Sequence, residues 1–183
     1  MEANELLEKA TYVMEQWRQE CAQCDDYIPD EIAICFAEAT QLQTTVAEWV
    51  GDYGVEHFNG VPSDHMSRLD RVGEGFDVRF EFLRLPGRDW RFELMHVYPG
   101  GIAPLHEKAL RESKGEPAII HVSYKCFDVE EYGILMRSMP TMYGRNWTRK
   151  AEYSNTYGIF SYWSENGHIY TKPRVNLRDR ASS

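Results

Sequence analysis

The sharpest patterning in the chain lies between residues 76 and 98, where GFDVRFEFLRL and DWRFELMHVY alternate apolar and polar positions on either side of Pro86 and Gly87. Period-two alternation interrupted by a Pro-Gly pair predicts a β-hairpin. Phe76, Val78, Phe80 and Phe82 share one face of the first strand, and Trp90, Phe92 and Leu94 share one face of the second. Taken as a single greasy layer, they send Arg79, Glu81, Arg91 and Glu93 to the opposite side.

Elsewhere the period is helical. Leu6, Leu7, Ala10, Val13, Met14 and Trp17 predict an amphipathic helix over 4 to 23, broken by the residues from Asp25 to Pro29. EIAICF (31 to 36) is short and rich in β-formers, and the spacing of Leu42, Val46, Trp49 and Val50 predicts a helix after it that stops at Gly51. AIIHVSYKC followed by FDVEEYGILMRSM, closed by Pro140, repeats that strand-then-helix order. Residues 52 to 75 read as a loop with one short strand near 55 to 59, and 102 to 114 as a connecting helix ended by Gly115. Three more strands are expected at 147 to 153, 157 to 163 and 168 to 172, the last two joined by the turn SENG. The order predicts an α+β fold that repeats one βαβββ unit. EIAICFAEATQL and HVSYKCFDVEEY show the self-similarity faintly.

Length and composition narrow the function classes. The 183 residues suit one domain, and 43% hydrophobic with 13% aromatic content supports a packed core rather than disorder. A net charge of -9 repels phosphate backbones and argues against a nucleic-acid partner. The basic stretch Lys172, Arg174, Arg178, Arg180 is expected to be a solvated tail. No apolar run reaches the roughly 18 residues of a membrane helix, and the start of the chain mixes charge with apolar groups, so no membrane partner and a cytoplasmic location are expected. Cys21 and Cys24 form a CxxC without the second pair of a structural zinc site, and all four cysteines are expected to be ordinary reduced thiols.

Three segments, RFELMHVYPGG, IIHVSYKCFDVEEY and WSENGHIYTK, resemble in order and spacing the vicinal oxygen chelate superfamily, which includes glyoxalase I, methylmalonyl-CoA epimerase, extradiol dioxygenases and the bleomycin-resistance proteins. The resemblance spans about residues 30 to 173. It implies a single glyoxalase-like domain over 26 to 183, built of two modules at about 30 to 98 and 119 to 173. Curled sheets would surround a cavity, with helices outside and residues 1 to 25 as a helical extension. It also implies four metal positions, at Glu31, Glu93, His121 and Thr171. Thr171 departs from the usual glutamate and would ligate poorly.

Strand parity agrees for Glu31, Glu93 and His121, which alternate with Ile32, Phe92, Leu94 and Val122. Three such donors suit Zn, Ni, Fe or Mn. Glu31 and Glu93 equally suit strand carboxylates paired with Arg79, Arg91 or Lys125. His96 is expected to be structural, His106 is discounted as a cupin-type ligand because Lys108 stands where that pattern needs a second histidine, and nothing places His57 or His65.

Two small-molecule functions stand at this point, beside a third reading as an accessory protein with the fold but no small-molecule role. The first is a glyoxalase-like metal-dependent lyase, isomerase or dioxygenase acting on a small oxygenated molecule, with Glu81 moving the proton and Arg79, Arg91, Ser123 and Lys125 lining the substrate. The alternative is a metal-free protein that binds or sequesters a small molecule, as the bleomycin-resistance proteins do. A homodimer is compatible with both.

Overall fold

The computed structural model describes residues 1–22, 27–60, 65–71, 74–98, 104–154, 158–165 and 169–176. Cys24, Gly73, Asn166 and Gly167 of the SENG turn, Arg178 and Arg180 lie outside the described residues, as do the side chains of His65 and Phe76. In chain order the elements are α1 (Ala3–Ala22), β1 (Glu31–Phe36), α2 (Ala39–Asp52), β2 (Glu56–His57), β3 (His65–Arg71), β4 (Glu74–Arg84) and β5 (Arg91–Val97). They continue with α3 (Pro104–Glu112), β6 (Ala118–Cys126), α4 (Val129–Ser138), β7 (Thr148–Ser154), β8 (Gly158–Ser164) and β9 (Tyr170–Asn176).

The two expected βαβββ modules are present and repeat the same pairings. In the first, β1 runs parallel to β5, β5 antiparallel to β4, and β4 antiparallel to β3. In the second, β6 runs parallel to β9, β9 antiparallel to β8, and β8 antiparallel to β7. Antiparallel pairing of β1 with β6 joins the modules into one mixed sheet, with β2 added beside β4. The far strands β3 and β7 meet at a single pair, Asp70 with Ser154, so the sheet curls round without closing into a full barrel ladder.

The expected loop over 52 to 75 contains β3 as well as β2. HMSRLDR carries three charged residues and little apolar alternation, and what makes it a strand is its backbone pairing with β4 along its whole length.

The sheet is buried on both faces. Its outer face carries Ile32, Ile34, Phe92, Leu94, Val122 and Tyr124, packed against Leu6, Leu7, Ala10 and Met14 of α1 and Leu42 and Trp49 of α2. Its inner face carries Cys35, Val78, Phe80, Met95, Tyr153 and Tyr162, and against these pack Leu105, Ala109 and Leu110 of α3. One helix therefore lies on the concave side, where the sequence reading placed all helices outside.

The register of the hairpin corrects a second expectation. Phe82 pairs with Glu93 and Glu81 with Leu94, so the even-numbered residues of β4 share a face with the odd-numbered residues of β5. Phe80 is buried as expected, but on the inner face rather than beneath α1 and α2 with Phe92. Alternation shows that each strand has two unlike faces. Where both faces are covered, it does not show which face of one strand meets which face of the next.

Among the described residues, no helix is long and apolar enough to cross a membrane. Cys21, Cys35 and Cys126 are buried, and among the described residues none of them is in a disulfide.

Candidate functional site

Glu31, Glu93 and His121 converge on the inner face at the junction of the modules. β1 supplies Glu31 at its first residue, with Ala33 and Cys35 following on the same side, and β6 sets Ser123 opposite Glu31 and His121 opposite Ala33. Glu93 pairs with Ala33 across the β1–β5 ladder. All three are buried, and one donor atom from each lies within 4.8 Å of the others.

Their partners are protein cations. Arg91 donates from Nε (2.8 Å) and Nη2 (2.6 Å) to Glu31 Oε2, while its guanidinium lies 4.4 Å from the Phe82 ring centre and 4.9 Å from that of Phe58. Lys172 Nζ donates to Glu93 Oε2 at 3.2 Å and stands 3.8 Å from Glu31 Oε1. Arg174 donates from Nη2 to Asp30 Oδ2 at 2.7 Å, and its Nε stands 3.4 Å from Glu31 Oε1. His121 Nε2 shares a hydrogen bond with Glu93 Oε2 at 3.1 Å.

Three carboxylates (Asp30, Glu31, Glu93) thus face three cations (Arg91, Lys172, Arg174). Burial alone would raise the Glu31 pKa, but Arg174, Arg91 and Lys172 together hold it well below the usual carboxylate range. Burial, and then Lys172, push His121 down to about 4 against the pull of Glu93, so the imidazole is neutral at pH 7. With Nε2 donating to Glu93, Nδ1 is an acceptor, and it has no partner among the described residues. Ser123 Oγ, fully buried on the same face, also has none.

The structure separates the other expected site residues. Arg91 and Ser123 join the cluster, and Lys125 shares its face but is exposed at the strand end. Glu81 and Arg79 do not join it: they pair with Leu94 and His96 on the outer face. Thr171 also faces outward, opposite Val122, and is buried with its hydroxyl unpartnered. A carry-over displaced by one residue changes the face of a strand residue, and Thr171 shows that displacement.

The repeat places a different residue, Lys172, at the position equivalent to Glu93. In the first module Glu31 pairs with Arg91, and Glu93 lies two residues further along β5. In the second His121 pairs with Tyr170, and two residues further along β9 is Lys172. Lys172 and Arg174, expected in a solvated tail, are buried. The signal was available in the alternation of Tyr170, Lys172 and Arg174 with Thr171, Pro173 and Val175, which gives the strand one aromatic and basic face.

His96, expected to be structural, and His106, discounted as a ligand, are both buried. Nδ1 of His96 lies 3.1 Å from the Phe36 carbonyl, and Nε2 of His106, buried on α3, lies 3.1 Å from Met95 Sδ. Two grooves, of about 530 and 480 Å³, flank the start of α1 and share Met1 and Pro117; neither is lined by a residue of the cluster.

Carboxylates and an imidazole are the right donor types for a divalent ion. The surroundings are not. Each carboxylate already has a protein cation, so a divalent ion would meet a cluster of no net charge, and at an effective dielectric of about 20 the ammonium about 4 Å away would cancel about 8 kcal/mol, the whole attraction of one carboxylate at that distance. With Lys172 in place, the residues do not fit a metal.

The fold is that of the vicinal oxygen chelate superfamily. Methylmalonyl-CoA epimerase from Mycobacterium tuberculosis superposes with a TM-score of 0.56 at 15% identity, over 86% of this chain and 93% of that one. Methylmalonyl-CoA epimerase from Streptomyces coelicolor, as the E43Q variant with 2-nitronate-propionyl-CoA, superposes with a TM-score of 0.49 at 15% identity, over 81% and 96%. A triple mutant of 4-hydroxymandelate synthase from the same organism gives 0.46 at 15% identity, over 81% of this chain and 48% of that one. No protein-family model matches the sequence, and no curated protein matches it significantly.

Proposed function

We propose that the protein binds a small oxygenated molecule on the inner face of its sheet, in the cytoplasm, and does not transform it. The observation that carries this reading is the pair of fully buried polar atoms without partners, Ser123 Oγ and His121 Nδ1, on the face that also holds the Glu93–Lys172 ion pair. A buried polar atom left unpaired costs free energy, and a ligand hydroxyl that donates to Nδ1 while its oxygen accepts from Ser123 would satisfy both atoms. The enzyme reading has less support, because the carboxylate expected to move the proton, Glu81, lies across the sheet from Glu93.

The test is a thermal-shift and titration screen with small hydroxy acids, polyols and phenols. A compound that raises the melting temperature should bind the wild type roughly 3- to 10-fold more tightly than Ser123→Ala, the equivalent of one net hydrogen bond. Hits that ignore Ser123→Ala place the ligand elsewhere. Turnover of a 2-hydroxy thioester or hemithioacetal that His121→Ala abolishes makes the protein an enzyme and ends the binding reading.

A further inference from the structure

The Lys172 ammonium stands at the position that completes the Glu31, Glu93 and His121 set. It arrives from the fourth strand of a four-strand constellation in which the other three positions are ligand-type residues. Its Nζ reaches Glu93 Oε2 at 3.2 Å and Glu31 Oε1 at 3.8 Å, the two carboxylates a metal at this site would draw together. The Phe160 ring centre is 4.9 Å from the ammonium and that of Tyr162 6.0 Å, so aromatic faces add to the cation's surroundings. The side chain is buried, and two long-range carboxylates fix its head group.

From this arrangement we infer that Lys172 is a built-in substitute for the divalent ion: its ammonium holds Glu31 and Glu93 together as a bound metal would, and the site is metal-independent because of this one residue. The physical reason is charge and space. A buried pair of carboxylates needs a cation between them, and once an ammonium on a strand of the same sheet supplies it, an ion from solution must displace that ammonium into an apolar interior. The inference does not rest on the ligand proposed above, since a metal-independent site is compatible with binding or with acid–base chemistry.

Two substitutions test it. Lys172→Gln removes the ammonium and leaves three donors, and Lys172→Glu adds a fourth. Each protein is loaded with Zn²⁺, Ni²⁺ or Co²⁺, dialysed and analysed for metal, and its melting temperature is followed with and without the ion. Wild type should retain under about a tenth of an equivalent, with a melting temperature unmoved by the ion or by chelator. Lys172→Glu should retain about one equivalent and be stabilised by it, and adding His121→Ala should lower that affinity at least about 10-fold. Lys172→Gln should bind more weakly than Lys172→Glu and more tightly than wild type. Stoichiometric metal in wild type that His121→Ala removes would overturn the inference, as would two folded variants that take up no more metal than wild type. Should neither variant fold, with or without the ion, the wild-type measurement decides alone: retained metal overturns the inference, and a metal-free protein indifferent to chelator supports it.

Discussion

Glu31 is a carboxylate removed from water and surrounded by three cations, and its stability depends on which of them is taken away. Arg91 makes the tightest contact, two hydrogen bonds to one oxygen, while Lys172 and Arg174 stand 3.8 and 3.4 Å from the other. Breaking a buried pair from one side strands the other charge, at a typical cost of about 3 to 5 kcal/mol. Because two cations remain, Arg91→Met should cost about 2 to 3 kcal/mol in urea unfolding. Thr171→Val is the contrasting case: it deletes a buried hydroxyl without a partner and keeps the shape, so it should change stability by less than about 1 kcal/mol, in the stabilising direction. A large loss there would mean that Thr171 belongs to the cluster after all. Glu31, Glu93 and His121 came from the family resemblance, and their alternation with Ile32, Phe92 and Val122 agrees with the face they share in the structure. The fourth position was not legible, because a motif carried over by likeness has no register of its own, and one residue separates Thr171 from Lys172.

At the scale of elements, the helices were the most legible parts, since each carries its own stripe and stop. α4 also carries its own start: Asp128 accepts from the backbone N–H of Glu131 at 2.8 Å, and the Glu131 carboxylate accepts in return from the Phe127 N–H. This reciprocal cap satisfies one backbone donor that the first turn leaves open, that of Glu131, and a second just before the cap, that of Phe127. Asp128→Ala should therefore cost about 1 kcal/mol, with Asp128→Asn or Asp128→Ser recovering most of it; equal stability of all three would show that packing of Tyr132 and Leu135 alone sets the start of the helix. Strands were less legible, and β3 and β4 show why. β3 is made by its neighbour rather than by its own pattern. β4 has a clear pattern, but its assignment to a face depends on the hairpin turn, which sets Phe82 against Glu93. That single register sends Glu81 and Arg79 to the outer face and leaves Arg91 and Glu93 inside.

On the scale of the whole molecule, burial of ionisable groups on both faces of the sheet predicts how stability follows pH. His106 and His121 have ordinary values of 6.5 and are lowered to about 3 and about 4, in both cases chiefly by burial. His106 also faces the positive charge of Lys172 and the imidazole of His121. In this range the unfolded chain takes up protons that the folded chain refuses, so stability is complete above about pH 6.5 and falls as the pH drops towards 4 and then 3. Glu31 acts in the same direction from its ordinary 4.5 downward, because protonating it discards its three ion pairs. Asp30, raised chiefly by burial, acts oppositely. At the alkaline end Cys35 and Cys126 are pushed from 9.0 to about 12, chiefly by burial, and Tyr124 and Tyr162 are raised above 10.0 for the same reason. There the unfolded chain ionises first, and stability falls above about pH 9. Urea midpoints should thus form a plateau between about pH 6.5 and 9, with stability falling on both sides of it. His106→Met keeps an apolar contact with Met95 at the same site and removes one titrating group, so the acid limb should become less steep while the plateau keeps its alkaline edge. A stability maximum near pH 5, or an acid limb unchanged in His106→Met, would show that these imidazoles are protonated in the folded protein and that the inner face is wetter than its packing implies.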